Sequence, residues 1–167
     1  MTKWMLLRHA KSDWNDSSVT DKQRPLNARG QRAAVLLGDK LLENQLVPER
    51  ILCSTALRTV QTLQGILQSL SQYSQQPVPE ILYFDELYLA TPEAIQSVVA
   101  KHHGNKNILM CIGHNPGIEY LASQLAKQTL EIKTAHLIVL EKNKAWANAS
   151  QITEGWELTE NMRGEEG

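Results

Sequence analysis

The chain is poor in the features that would class it at a glance. Two of its 167 residues are cysteine, and Cys53 and Cys111 lie in apolar runs with neither a Cys-x-x-Cys pair nor a zinc-ligand spacing. A disulfide scaffold is thereby excluded, and two buried, reduced, inert thiols are expected. No stretch approaches the ~20 apolar residues of a membrane span. The N-terminal apolar run is too short for a signal peptide and is interrupted by Arg8-His9, so a soluble, cytoplasmic protein with no membrane partner is expected. Charge of one sign is missing too: 17 Lys and Arg stand against 18 Asp and Glu, a formal net charge of -1. A nucleic-acid partner would need a basic face or stripe and is not expected, although a basic patch confined to a pocket would vanish in that sum. No internal repeat is present. The length suits a single domain over 1–167 with a core of its own, and about 161–167 is expected to be a flexible tail.

What is present is an alternation of short apolar runs with longer amphipathic stretches, which predicts βα units and a largely parallel sheet. Strands are predicted at about 3–7, 50–53, 81–84, 107–112, 135–141 and 154–158. Helices are predicted at about 28–44, 56–70, 92–102 and 118–127. Ala34, Leu37 and Leu41 share one face of the first helix, and Val60, Leu63, Leu67 and Leu70 repeat along the second. Ser54 or Thr55 is expected to cap that second helix. The stretches 10–27 and 69–79 read as polar loops.

Four residues then fall at strand ends. Arg8 and His9 follow Trp4-Met5-Leu6-Leu7, Arg58 lies just beyond Ile51-Leu52-Cys53, and His114 follows Ile108-Leu109-Met110-Cys111-Ile112. Ligands of open α/β sheets bind outside the carboxyl ends of the strands, so these side chains can converge. Arg58 is locally misplaced, because a basic residue in a helix's first turn is disfavoured by up to ~1 kcal/mol. Either a nearby carboxylate offsets that repulsion or a bound anion does, helped by the helix N-terminus. Gly113-His114-Asn115-Pro116-Gly117 reads as a tight turn that holds a histidine at the same sheet edge. Two guanidiniums and two imidazoles at one spot suit a phosphate, and an imidazole is a ready nucleophile for phosphoryl transfer. A metal site on His9 and His114 is not expected, since no carboxylate lies at a ligand's spacing. His102-His103 is expected as a solvated, partly charged helix end, and His136 as a packed or edge residue.

Arg8-His9 after an apolar strand resembles the Arg-His signature of the histidine phosphatase superfamily. Ser54-Thr-Ala56-Leu-Arg58-Thr59-Val-Gln61-Thr62 is similar to its second motif, and Gly113-His114-Asn115-Pro116 to its third. Arg8-His9-Ala10-Lys11-Ser12-Asp13-Trp14, with Asp21, Arg24-Pro25-Leu26 and Arg29-Gly30, resembles the small SixA-type phosphohistidine phosphatases. The likeness covers about three quarters of the chain. It implies a three-layer α/β sandwich of the phosphoglycerate mutase-like type: a mostly parallel central sheet with helices on both faces.

The resemblance also implies a mechanism. His9 would attack phosphorus and form a covalent phosphohistidine. Arg8, Arg58 and His114 would hold the phosphoryl oxygens, with Arg24 and Ser12 as further candidates for binding it. Glu86, or Asp85 beside it, would be the proton donor, or neither, since an imidazole leaving group with a near-neutral pKa has less need of a dedicated acid. No metal or other cofactor is implied. The expected partner is a protein carrying a phosphorylated histidine, either a phosphotransfer domain or a phosphocarrier. Rival readings are a small-molecule phosphomonoesterase or mutase, and a non-catalytic phosphate- or phosphoprotein-binding module.

Overall fold

A computed structural model of the chain describes residues 1–73 and 75–165. Six strands are present: β1 (Thr2–Arg8), β2 (Arg50–Ser54), β3 (Glu80–Phe84), β4 (Ile108–Gly113), β5 (His136–Lys142) and β6 (Glu157–Arg163). Four α-helices connect them: α1 (Ala28–Glu43), α2 (Leu57–Leu70), α3 (Pro92–His102) and α4 (Gly117–Ala126). The strands form one sheet in the order β3-β2-β4-β1-β5-β6. β1, β2, β3 and β4 pair in parallel, and β5 runs antiparallel to both neighbours. The expected three-layer α/β sandwich is therefore present.

Alternation along the strands builds the layers, because successive side chains point to opposite faces. Trp4 and Leu6 of β1 pack with Leu109, Cys111, Ile138 and Leu140 under α3 and α4. Met5 and Leu7 point the other way, joining Met110, Ile112, Leu137 and Val139 under α1 and α2. A sheet buried on both faces needs the near-continuous apolar runs that the sequence shows. Both cysteines are buried in these layers, and burial pushes each thiol up to about 12, as expected of inert groups.

The topology locates a crevice. β1 and β2 are followed by helices on one face and β4, which lies between them, by a helix on the other. Adjacent strands whose connections leave in opposite directions open a cleft at their carboxyl ends. The register sets Arg8 opposite Gly113 and Cys53 opposite Ile112, so His9, Ser54 and His114 leave the sheet at one level.

Several expectations change. The last strand lies at Glu157–Arg163 rather than 154–158; as an edge strand it carries Glu157, Glu160 and Arg163, so it lacks the apolar run that marks the others. Consequently 161–165 is not a free tail: the Gly164 N–H donates to the Ala135 carbonyl and Glu165 pairs with Arg29 and Arg163. Glu166 and Gly167 of the expected tail, and Ser74 of the expected 69–79 loop, lie outside the described residues. The 10–27 loop contains a 3-10 turn at Asp21–Gln23 and a bridge between Ser12 and Leu26. His103 is not a solvated cation; its ring stacks on Trp146 with centroids 5.0 Å apart, and burial holds its pKa below the ordinary value.

Gly30 ties that loop to the helix layer. A Cβ there would lie 2.1 Å from the Lys11 carbonyl oxygen, a backbone atom that cannot swing aside. Gly30→Ala should cost about 1–3 kcal/mol, the usual range for overpacking. A urea midpoint unchanged by the substitution would show that the 11–13 segment yields freely.

Candidate active site

His9 is held from three sides. Its N–H donates to the Gly113 carbonyl, its carbonyl accepts from Ala135, and the next N–H, of Ala10, donates to Thr62 Oγ1. The backbone that carries the ring is thus pinned between β4, the start of β5 and α2, on rigid elements. The ring is 7% exposed, and its Nδ1 lies 2.7 Å from the Ala10 carbonyl oxygen. A carbonyl can only accept, so Nδ1 carries the proton and Nε2 is left with its lone pair. Burial, with help from Arg58, Arg8 and Arg24, pushes the imidazole down to about 4.

His114 sits beside it with ring centroids 5.3 Å apart. Its Nε2 is 2.8 Å from Ser54 Oγ, while its buried Nδ1 has no partner. Burial, then His9 and Arg58, pushes this ring down to about 3. Ser54 or Thr55 was expected to cap α2. Instead Ser54 serves His114 and Thr55 donates to Asp85, and the N-cap position, Ala56, has no side-chain cap.

Both explanations of Arg58 have a counterpart in the structure. Arg58 is 2% exposed in the first turn of α2. It donates to the Asp21 carbonyl at 2.7 Å and to Asp21 Oδ2 at 3.0 Å, and it also lines a pocket. Asp21 accepts from Arg24 at 2.9 Å and from the Tyr88 hydroxyl as well. Tyr88 first, then the arginines, hold its carboxyl well below the usual carboxylate range. Arg8 donates to the Ile132 carbonyl at 3.0 Å, an oxygen that also accepts from Asn115 at 2.8 Å.

The pocket has a volume of about 270 Å³, and Arg8, His9, Arg24, Arg58 and His114 all line it, together with Ser12. The four strand-end residues therefore converge. A larger cavity of about 580 Å³ lies at the opposite end of β1, between Met1 and Thr159. With Glu141, Glu154 and Glu157 against Lys142 and Lys144, it is no anion cradle. Among the described residues, seven buried side-chain polar atoms lack a partner, and five belong to the 270 Å³ pocket: Nε of Arg8, Arg24 and Arg58, Nδ1 of His114 and Oδ1 of Asn115. Folded proteins satisfy most buried polar groups, and orphaned donors cost free energy. Four of these five orphans are nitrogens, grouped where an anion would sit. Among the described residues no group of three His, Cys, Asp or Glu side chains is placed to hold a metal ion.

Comparison with known proteins places the chain in a family. Residues 4–81 match the model of the histidine phosphatase superfamily (branch 1). The uncharacterised chloroplastic protein At3g52155 of Arabidopsis thaliana is 31% identical over 161 residues, which is 92% of this chain and 74% of its own length. The chain belongs to the histidine phosphatase superfamily. Within it, the chain is similar to a solved Agrobacterium tumefaciens structure assigned as the phosphohistidine phosphatase SixA: 28% identity, TM-score 0.80, covering 96% of this chain and 97% of that one. The protein histidine phosphatase SixA solved with tungstate shares the fold, with TM-score 0.76 over 98% and 97% of the two chains at 18% identity.

Not every expected site residue of this superfamily member reaches the pocket. Glu86 is exposed on a 3-10 turn at Asp85–Leu87 and does not line it. Asp85 is exposed too and pairs with Thr55 and Lys22. The expected proton donors are corrected on this point: the 3-10 turn leaves both carboxylates exposed and sets Tyr88 beside His114 instead, with ring centroids 5.5 Å apart and the planes nearly perpendicular. Arg24 and Ser12 do arrive, bonded to each other. From the sequence, Asp21 and Tyr88 had no expected role and Ser54 none at the site, only that of a possible helix cap. Asp21 and Ser54 lay inside the quoted motifs, so a signal existed for them; none existed for Tyr88.

Depressed imidazoles carry a stability consequence. Between pH 6.5 and about 4 for His9, or about 3 for His114, the unfolded ring is protonated and the folded ring is not. The unfolded chain then binds more protons, so acid favours unfolding. Their contribution is fully present above pH 6.5, and each ring should remove about 1.4 kcal/mol per pH unit through its window. Urea midpoints from pH 7 to 4 should fall more steeply for wild type than for His9→Ala. Parallel slopes would contradict the buried neutral ring.

Proposed function

We propose that the protein is a metal-independent phosphohistidine phosphatase that dephosphorylates a histidine on another protein. Superfamily membership and the SixA-like structures support phosphatase chemistry. The observation that carries the substrate class is that, among the described residues, no carboxyl group lining the pocket is held protonated. Glu86 and Asp85 are exposed and do not line it, and Asp21 is held ionised. An alkoxide leaving group needs a proton from a strong donor, whereas an imidazole, with an ordinary pKa of about 6.5, departs neutral if its second nitrogen already carries one.

In this reading His9 Nε2 forms a bond to phosphorus as the substrate's P–N bond breaks, its electron pair going to the departing imidazole. Water then attacks phosphorus, the P–Nε2 bond breaks with its pair returning to His9, and inorganic phosphate leaves. Arg8 and Arg58 grip the phosphoryl oxygens through paired donors, with Arg24 beside them. Ser54 donates to Nε2 of His114, which leaves an N–H on Nδ1 for a phosphoryl oxygen as charge redistributes. The cationic side chains supply the positive charge, so no metal is invoked.

The test is phosphate release from a histidine-phosphorylated phosphotransfer domain or phosphocarrier, with and without chelator, beside a phosphoserine peptide and glycerol phosphate. Chelator-resistant release from the phosphohistidine protein, with little from the alkyl esters, is expected. Faster turnover of the esters would make it a small-molecule phosphomonoesterase. Phosphate binding without any turnover would make it a binding module.

A further inference from the structure

Trp14 lies at the rim of the phosphate pocket in an unusual setting. It lines the cavity together with the four strand-end residues, yet 70% of its surface is exposed. The Arg24 guanidinium carbon is 3.6 Å from the indole centroid, and that guanidinium is held by Ser12 and Asp21. The indole therefore rests on a clamped planar cation. Its backbone is pinned on both sides: the Asp13 N–H donates to the Pro25 carbonyl at 2.8 Å, and the Asn15 N–H donates to Asp13 Oδ1 at 2.8 Å. Leaving so large an apolar ring in water gains the folded chain nothing, and the ordering cost of placing it has already been met.

We infer that Trp14 is the residue that selects aromatic leaving groups, by stacking its free surface against the ring that departs from phosphorus. A phosphoryl group seated among Arg8, Arg58 and His114 must carry its leaving group outward, past the rim. An aromatic ring there finds the indole; an alkyl chain finds no matching surface. A protonated imidazole gains a cation–π attraction as well as stacking. The inference rests on the phosphohistidine phosphatase reading for the identity of the ring, but not for the preference itself.

That division sets the experiment. Calorimetric affinities for phenylphosphonate and methylphosphonate, which cannot be turned over, should be compared in wild type, Trp14→Phe and Trp14→Ala. Wild type and Trp14→Phe should favour the phenyl compound by about fivefold to tenfold, a typical aromatic-pair preference. Trp14→Ala should bring that ratio near one. An unchanged ratio in Trp14→Ala, or no preference in wild type, would overturn the inference, since a residue that merely braces Arg24 would weaken both compounds alike. If the ratios behave as expected while the phosphohistidine protein is not a substrate, the proposed function fails and the selectivity of Trp14 stands.

Discussion

Replacing His9 by alanine should lower turnover on the order of 10⁴-fold or more, because the nucleophile of a two-step transfer has no substitute in the pocket. The hydroxyls of Ser12 and Ser54 are engaged by Arg24 and His114. A wild-type sample quenched in alkali during turnover should carry one labelled phosphoryl group, stable to base and labile to acid; His9→Ala should carry none. The variant should still bind phosphate or tungstate, since Arg8, Arg24, Arg58 and His114 are untouched. Retained turnover with no label would place water, rather than His9, at phosphorus in the first step.

The second large effect concerns Arg58. Arg58→Lys preserves charge but cannot reproduce the fork that reaches the Asp21 carbonyl and carboxylate together. A loss in kcat/KM on the order of 10²–10³-fold is expected, as for removal of a fixed donor to transition-state charge. Stability should behave differently. The guanidinium is buried, and removing one partner of a buried ion pair is costly where the other charge is left stranded, but the Asp21 side chain is 43% exposed. Asp21 would keep Arg24 and Tyr88. Arg58→Met should therefore lose activity as Arg58→Lys does, while its urea midpoint without ligand falls only modestly below the wild-type value. A drop of more than about 3 kcal/mol, the scale for breaking a buried pair, would mean that Arg58 serves the fold first.

These two results address one design. The pocket gathers Arg8, Arg24 and Arg58 around two imidazoles, and Asp21 offsets part of that charge from within. An anion that binds these donors in the folded chain stabilises it by mass action, and Arg58→Met should bind that anion less tightly. Phosphate should therefore raise the midpoint of wild type more than that of Arg58→Met.

What the amino-acid sequence determined by itself was the order of the elements and the identity of the residues at the strand ends. Apolar runs and helical spacing are local signals, and a parallel sheet converts strand-end position into position at one edge. Arg8, His9, Arg58 and His114 could therefore be assembled on paper. The structure decided whatever depends on contacts between distant loops. Tyr88 meets Asp21 across 67 positions, and Arg58 meets it across 37; no periodicity encodes such pairings. Glu86 was misplaced for the same reason, because the direction of a side chain on a short 3-10 turn follows from how that turn docks. β6 was displaced because an edge strand half in water needs no apolar run. Ser54 was read as a helix cap, whereas the neighbouring strand set an imidazole 2.8 Å away, and that ring engaged the hydroxyl instead.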